Sequence, residues 1–142
     1  MLPKNSITST ICPGFAYNYH DLRSAGLKVK ILHNPRCSKS RATLQLLEDN
    51  GIDPEIIFYL DTPPTHQQIK KILKLLKLRP RELMRSGQSE YQELGLNNED
   101  LSDTALIAAM HQTPILIERP IVLANGKAAI GRPPESVMDI LL

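Results

Sequence analysis

Apolar positions in this chain change rhythm several times, and each change marks an element. From Lys28, the short β-branched run Val29, Ile31 and Leu32 stops at His33 and the Asn34-Pro35 break, which predicts a strand followed by a turn. Beyond Cys37 the spacing becomes helical: Ala42, Leu44 and Leu47 share a face over Ser38 to Asn50, and Gly51 suits the left-handed residue that ends a helix. Pro54 to Leu60 is almost continuously apolar, as in a strand covered on both faces, so a parallel β-α-β unit is expected.

Thr65 can cap a helix whose Gln68 stands at the capping-box position, with Ile69, Ile72, Leu73 and Leu76 as its apolar stripe and lysines opposite. Arg79-Pro80 interrupts it. Helical segments around Arg81 to Arg85 and from Ser102 to His111 follow, the second with Leu106, Ile107 and Met110 inward. Strands return at Ile121 to Leu123 and Ala128 to Ile130, joined through Asn125-Gly126, the pair that accepts positive φ in a tight hairpin. Pro134 to Leu142, with Val137, Ile140 and Leu141 apolar, is predicted to close the chain as a helix. The order is β-α-β, helices, β-β-α. That is an α/β chain with a thioredoxin-like (glutaredoxin-like) mixed sheet and an inserted helical segment.

A length of 142 residues with 42% hydrophobic content suits one domain with its own core, and a monomer core accounts for all of that apolar content. Seventeen basic against 15 acidic side chains, a net charge of +2, is too balanced for the dominant basic face of a nucleic-acid binder, so a small partner is expected. No apolar run approaches the roughly 20 residues of a membrane span. Two distant cysteines, Cys12 and Cys37, make no disulfide framework, and a reducing cytoplasm is the expected compartment. Residues 1–26 scatter Ser, Thr, Asn, Pro and Tyr without periodicity or a signal-peptide pattern; they are expected to form a poorly ordered extension ahead of a 27–142 domain. Nothing near Cys12 would stabilise a thiolate.

Cys37 is different. It follows a strand and opens a helix, so its sulfur should face unsatisfied N–H groups and the positive end of the helix dipole, with Arg36, Lys39 and Arg41 alongside. Such surroundings lower a thiol pKa from its usual value of about 8.5. His33, at the strand end, can add a hydrogen bond or a charge, or can simply be a satisfied structural histidine. Metal binding fails on ligand count, because His20, His66 and His111 lie in unrelated segments. A cysteine-phosphatase loop would carry an arginine where Thr43 stands, and Gly126-Lys127 lacks the rest of a Walker loop.

The stretch His33-Asn34-Pro35-Arg36-Cys37-Ser38-Lys39-Ser40-Arg41 resembles the active-site signature of the glutaredoxin-dependent arsenate reductase family. The resemblance continues in order through Tyr59-Leu60-Asp61-Thr62-Pro63-Pro64, Arg81 to Arg85, Tyr91 to Leu96, Glu118-Arg119-Pro120-Ile121-Val122 and Gly131-Arg132-Pro133-Pro134-Glu135, covering Lys28 to Leu142. It implies that Cys37 attacks arsenate while Arg85, Arg119 and Arg132 hold the oxyanion, with His33, Asn34, Ser40, Arg41 and Pro120 in support. Planar guanidinium forks suit a tetrahedral oxyanion. Ser40 stands where many thiol oxidoreductases keep a second cysteine, so an external thiol must finish the cycle. The resemblance implies glutathione as co-substrate and glutaredoxin as partner, with no resident cofactor. It also implies a cis Arg119-Pro120 bond facing the cysteine.

Two rival functions share these residues. Spx-type regulators, related in fold, bind RNA polymerase and carry a Cys-x-x-Cys switch, which Cys37 and Ser40 cannot form. A glutathione-linked oxidoreductase acting on another oxyanion or a mixed disulfide would need the same thiolate and the same cations. The residues name no general acid.

Overall fold

The computed structural model describes residues 28–141. The expected extension at 1–26, with Cys12, lies outside the described residues. The elements are β1 (Lys30–Leu32), α1 (Ser38–Asp49), β2 (Glu55–Ile57), α2 (His66–Leu76), α3 (Pro80–Leu83), α4 (Ser89–Glu93), α5 (Asp103–Gln112), a 3-10 turn (Pro114–Leu116), β3 (Ile121–Ala124), β4 (Lys127–Ile130) and a closing 3-10 segment (Pro134–Ile140). The sheet order is β2-β1-β3-β4. β1 and β2 are parallel, β1 and β3 antiparallel, and β3 and β4 form the hairpin around Asn125 and Gly126, both at positive φ. This is the thioredoxin-like mixed sheet, with α2 to α5 inserted between its halves.

Alternation along the strands sends side chains to two separate cores. Leu32 and Ile121 meet Ile69, Ile72 and Leu73 of α2 and Leu106, Ile107 and Met110 of α5 on one face. Val29, Ile31 and Val122 meet Leu47 of α1 and Val137 and Ile140 of the closing segment on the other. The capping box on α2 is present, Thr65 Oγ1 accepting from Gln68 N while Gln68 Oε1 accepts from Thr65 N.

Four elements differ from the sequence expectation. β2 stops at Ile57, because its carbonyl accepts the last bond from β1, His33 N at 2.9 Å, and β1 then breaks at Asn34-Pro35. With no strand beside it the chain turns, Phe58 O accepting from both Asp61 N and Thr62 N. The helix expected over Arg81 to Arg85 is Pro80–Leu83 alone, since Met84 is extended and bridges Ile117. α4 was not predicted; it packs buried Tyr91, whose hydroxyl accepts from Arg81 Nη1. The C-terminal segment is 3-10, with Ser136 N donating to Pro133 O and Leu141 N to Met138 O; threefold spacing sets Val137 and Ile140 on the same side, facing the sheet. Arg119-Pro120 is cis as the resemblance implies, and Arg132-Pro133 is cis as well.

Gly131 lets the segment carrying Arg132 pass close to the cis-proline loop: its N donates to Pro120 O at 2.9 Å, and a Cβ there would overlap Thr43 Oγ1 and come within 2.8 Å of Pro120 Cγ. Thr43 is fully buried, its hydroxyl already donating to Lys39 O, so it has no easy retreat. Gly131→Ala is expected to destabilise the fold by about 1–3 kcal/mol, read as a lowered urea midpoint at unchanged slope.

Candidate active site

The loop between β1 and α1 is tied into one unit by its own polar groups. Cys37 N donates to Asn34 O, Arg36 N to Asn34 Oδ1, and Arg41 Nη1 to Pro35 O at 2.8 Å. Ser40 Oγ accepts from Asn34 N at 2.9 Å and shares a 2.7 Å hydrogen bond with His33 Nδ1. His33, Asn34 and Ser40 are all buried. The Ser40 hydroxyl therefore locks the strand end to the first turn of the helix. Burial and then the Arg41 charge lower the His33 pKa, favouring the neutral imidazole. Its hydrogen bond goes to Ser40 and not to the Cys37 sulfur, which is the arrangement of the structural histidine that the sequence left open.

Cys37 is the N-cap residue of α1, at φ −98° and ψ 123°, so its side chain occupies the place where a capping oxygen would lie. It is 9% exposed. Burial pushes its thiol pKa up, but hydrogen bonds from Ser40 N, the Arg119 side chain and Lys39 N, together with the Arg119 charge, outweigh this and hold it below the ordinary thiol range. The helix N-terminus thus acts on the sulfur through named N–H groups, as expected. The Lys39 side chain is not among these contacts.

The three arginines come from three segments. Arg85 follows the Met84–Ile117 bridge, held by its own N donating to Leu116 O at 2.7 Å. Arg119 precedes the cis proline. Arg132 precedes the second, and its Nη2 lies 3.7 Å from Cys37 Sγ while Nε donates to Arg119 O at 2.8 Å. Glu118 joins them: Oε1 is 3.1 Å from Arg132 Nε, 3.8 Å from Arg85 Nη1, and accepts from Arg119 N at 3.2 Å.

Buried polar atoms without a hydrogen-bond partner are uncommon, and they cluster here, Arg85 Nη1 having only its 3.8 Å ion pair with Glu118. Among the described residues they are Arg85 Nη1, Arg119 Nε, Arg119 Nη1 and the Tyr59 hydroxyl. Tyr59 is fully buried in the turn after β2. Burial raises its pKa and the Cys37 charge adds to the shift, against the Arg119 and Arg85 charges, so the phenol keeps its proton. Every orphan can donate a hydrogen bond, and none requires a donor in return. Such a set has the chemistry of an oxyanion cradle beside a thiolate.

The predicted residues Cys37, Arg85, Arg119 and Arg132 thus come together, and Pro120, next to Arg119, packs against Gly131, next to Arg132. Arg36 and Arg41 stay exposed, and Arg81 braces the insertion through Tyr91 Oη, Leu96 O and Asn98 O. Tyr59 and Glu118 went unnoticed as site residues. Both lie inside the quoted motifs, but Tyr59 reads as a strand core residue and Glu118 as a surface charge until the chain is folded. Among the described residues no cluster of three His, Cys, Asp or Glu side chains could hold a metal ion, and no helix is long and apolar enough to cross a membrane.

Comparison with known proteins agrees with the motifs. The family model described as ArsC family matches residues 32–140. The Escherichia coli K12 protein YfgD, itself uncharacterized, is 55% identical over 115 residues, covering 80% of this chain and 97% of its own. An arsenate reductase of Neisseria meningitidis serogroup A is 53% identical over 115 residues, 80% of this chain and 98% of that one. The solved structure of an arsenate reductase from Vibrio cholerae superposes with a TM-score of 0.79 at 51% identity, over 80% of this chain and 98% of that chain. On this similarity, which takes in the cysteine loop and all three arginines, the chain belongs to the ArsC family.

Proposed function

We propose that this chain reduces arsenate to arsenite, with Cys37 as nucleophile and Arg85, Arg119 and Arg132 holding the oxyanion. The observation that carries this reading is the convergence of orphaned donors from Arg85, Arg119 and Tyr59 beside a thiol whose pKa is lowered. A buried donor without a partner costs stability, and an oxyanion is the ligand that removes the cost from all of them at once. The arsenate reductases among its relatives supply the choice of arsenic.

In this mechanism the Cys37 thiolate attacks arsenic(V) and an arsenate oxygen departs, as water once protonated, leaving a Cys37–S–As(V) ester. The guanidiniums of Arg85, Arg119 and Arg132 spread the charge, and Tyr59 donates its hydroxyl to one oxygen. Glutathione then attacks arsenic and expels a second water. A further thiol, that of glutaredoxin, takes the glutathione sulfur as a mixed disulfide, and the electron pair of the broken S–As bond remains on arsenic, now As(III). Water frees arsenite and returns Cys37. The net change is arsenate plus two thiols giving arsenite, one disulfide and water. Ser40, buried against His33, leaves Cys37 without a local resolving thiol, which supports an external one.

A coupled assay with arsenate, glutathione and glutaredoxin tests the reading. Cys37→Ser should abolish turnover, and Arg119→Ala should lower kcat/KM by about 100-fold or more, the cost of losing an oxyanion donor. Full activity in Cys37→Ser ends the mechanism. Tyr59→Phe should reduce kcat/KM by about 10- to 100-fold while leaving Tm unchanged or raised, because it removes an unsatisfied buried hydroxyl from the resting fold. A Tyr59→Phe enzyme with lowered Tm and normal turnover would reduce that hydroxyl to a packing role. The thiol itself is read by iodoacetamide: the alkylation rate of Cys37 should rise with pH to a plateau whose midpoint lies below that of a free cysteine measured alongside, and Arg119→Ala should move that midpoint upward.

A further inference from the structure

Glu118 is a carboxylate in the middle of an anion site. Its backbone is fixed on both sides: Glu118 N donates to Leu83 O at 2.9 Å, Arg85 N donates to Leu116 O, and the antiparallel Met84–Ile117 bridge lies between them, so that Arg85 and Glu118 stand diagonally across the bridge on the same face, close enough for their side chains to meet at 3.8 Å. One oxygen, Oε1, then faces Arg85, Arg132 and the Arg119 amide. Arg132 touches Glu118 through Nε and Cys37 Sγ through Nη2, so carboxylate and sulfur flank one guanidinium. An anion seated over Cys37 on the arginines therefore lies within reach of Glu118. The Glu118 side chain is 29% exposed, so its carboxylate is reachable from solvent.

A carboxylate at neutral pH only accepts hydrogen bonds. Against a fully deprotonated oxyanion it is repulsive, and it becomes attractive only when the facing ligand oxygen carries a hydrogen. Charge points the same way. With the Cys37 thiolate and Glu118 both ionised, the three guanidiniums retain a single positive charge for an incoming ligand, which a monoanion balances. Resting on the oxyanion reading above, we propose that Glu118 is the specificity-determining residue of the site: it accepts the O–H of a protonated tetrahedral oxyanion, as in dihydrogen arsenate or phosphate, and repels one that has no hydrogen, such as sulfate. Discrimination by a built-in repulsive group is stronger than discrimination by shape, since these anions are nearly the same size.

The test needs no turnover. On the full chain, protection of Cys37 from iodoacetamide is titrated with inorganic phosphate and with sulfate, in the wild type, Glu118→Gln and Glu118→Asp. In the wild type, phosphate should protect at a concentration at least about tenfold below sulfate. In Glu118→Gln sulfate protection should improve about tenfold, bringing the ratio towards one, because the amide offers an N–H to an oxygen the carboxylate repelled. Glu118→Asp should keep a preference for phosphate, and it carries the test alone if the glutamine variant does not fold. A residue that only braced the arginines would weaken both anions alike on substitution. An unchanged ratio, a parallel loss for both anions, or equal protection in the wild type overturns the assignment. Arsenate turnover is scored separately: phosphate preference without turnover keeps Glu118 in this role and sinks arsenate reduction, whereas turnover without preference does the reverse.

Discussion

Like charges repel, and this fold draws three guanidiniums to the end of one sheet around a single sulfur. Two unit charges about 4 Å apart repel by roughly 4 kcal/mol at the effective dielectric of a protein surface. Two groups able to balance these cations, the Cys37 sulfur and the Glu118 carboxylate, lie among them, and Arg132 contacts both. The remaining compensation is geometric. Backbone bonds around Met84 and Ile117 and the side-chain bond from Arg132 to Arg119 O hold the arginines in place even where their own N–H groups go unpaired. Stability is surrendered at the site and recovered in the two flanking cores, where Met110, Leu116, Ile121, Leu47 and Val137 are fully enclosed.

The same arrangement explains the division of labour around Cys37. One layer acts on the sulfur: Arg132 lies 3.7 Å from it, and the first N–H groups of α1 together with Arg119 lower its pKa. Behind it, His33, Asn34 and Ser40 use their hydrogen bonds on one another and on the loop backbone. A neutral His33 suits that second position. A positive charge there would have no carboxylate in contact, only the distant Glu48, and would add to the local repulsion from Arg41.

Local chemistry was legible in the sequence wherever neighbours in the chain are also neighbours in space. The strand-turn-helix around Cys37, the Thr65/Gln68 capping box and the Asn125-Gly126 hairpin depend on short-range geometry, and all three are present. Arg85, Arg119 and Arg132 came from resemblance, because no spacing rule joins residues in three separate segments. The misreadings have tertiary causes. Phe58 to Leu60 left the sheet because β1 had already ended, and Met84 left its helix to pair with Ile117. Glu118 and Tyr59 are invisible as site residues without the fold, since an acidic side chain and an aromatic in an apolar run each have a commoner explanation.

The insertion between β2 and β3 adds Arg85 to the site while the strands and α1 carry the thiol. Among the described residues its backbone joins the segment leading into β3 at the short antiparallel bridge of Met84 and Ile117, flanked by bonds from Arg85 N and Glu118 N. The excursion therefore contributes one of three cations, while the helix terminus, Arg119 and Arg132 stay with the sheet that carries the thiol. A designer wishing to retune this scaffold can vary the charge delivered across that bridge while leaving the segments that hold Cys37, Arg119 and Arg132 untouched.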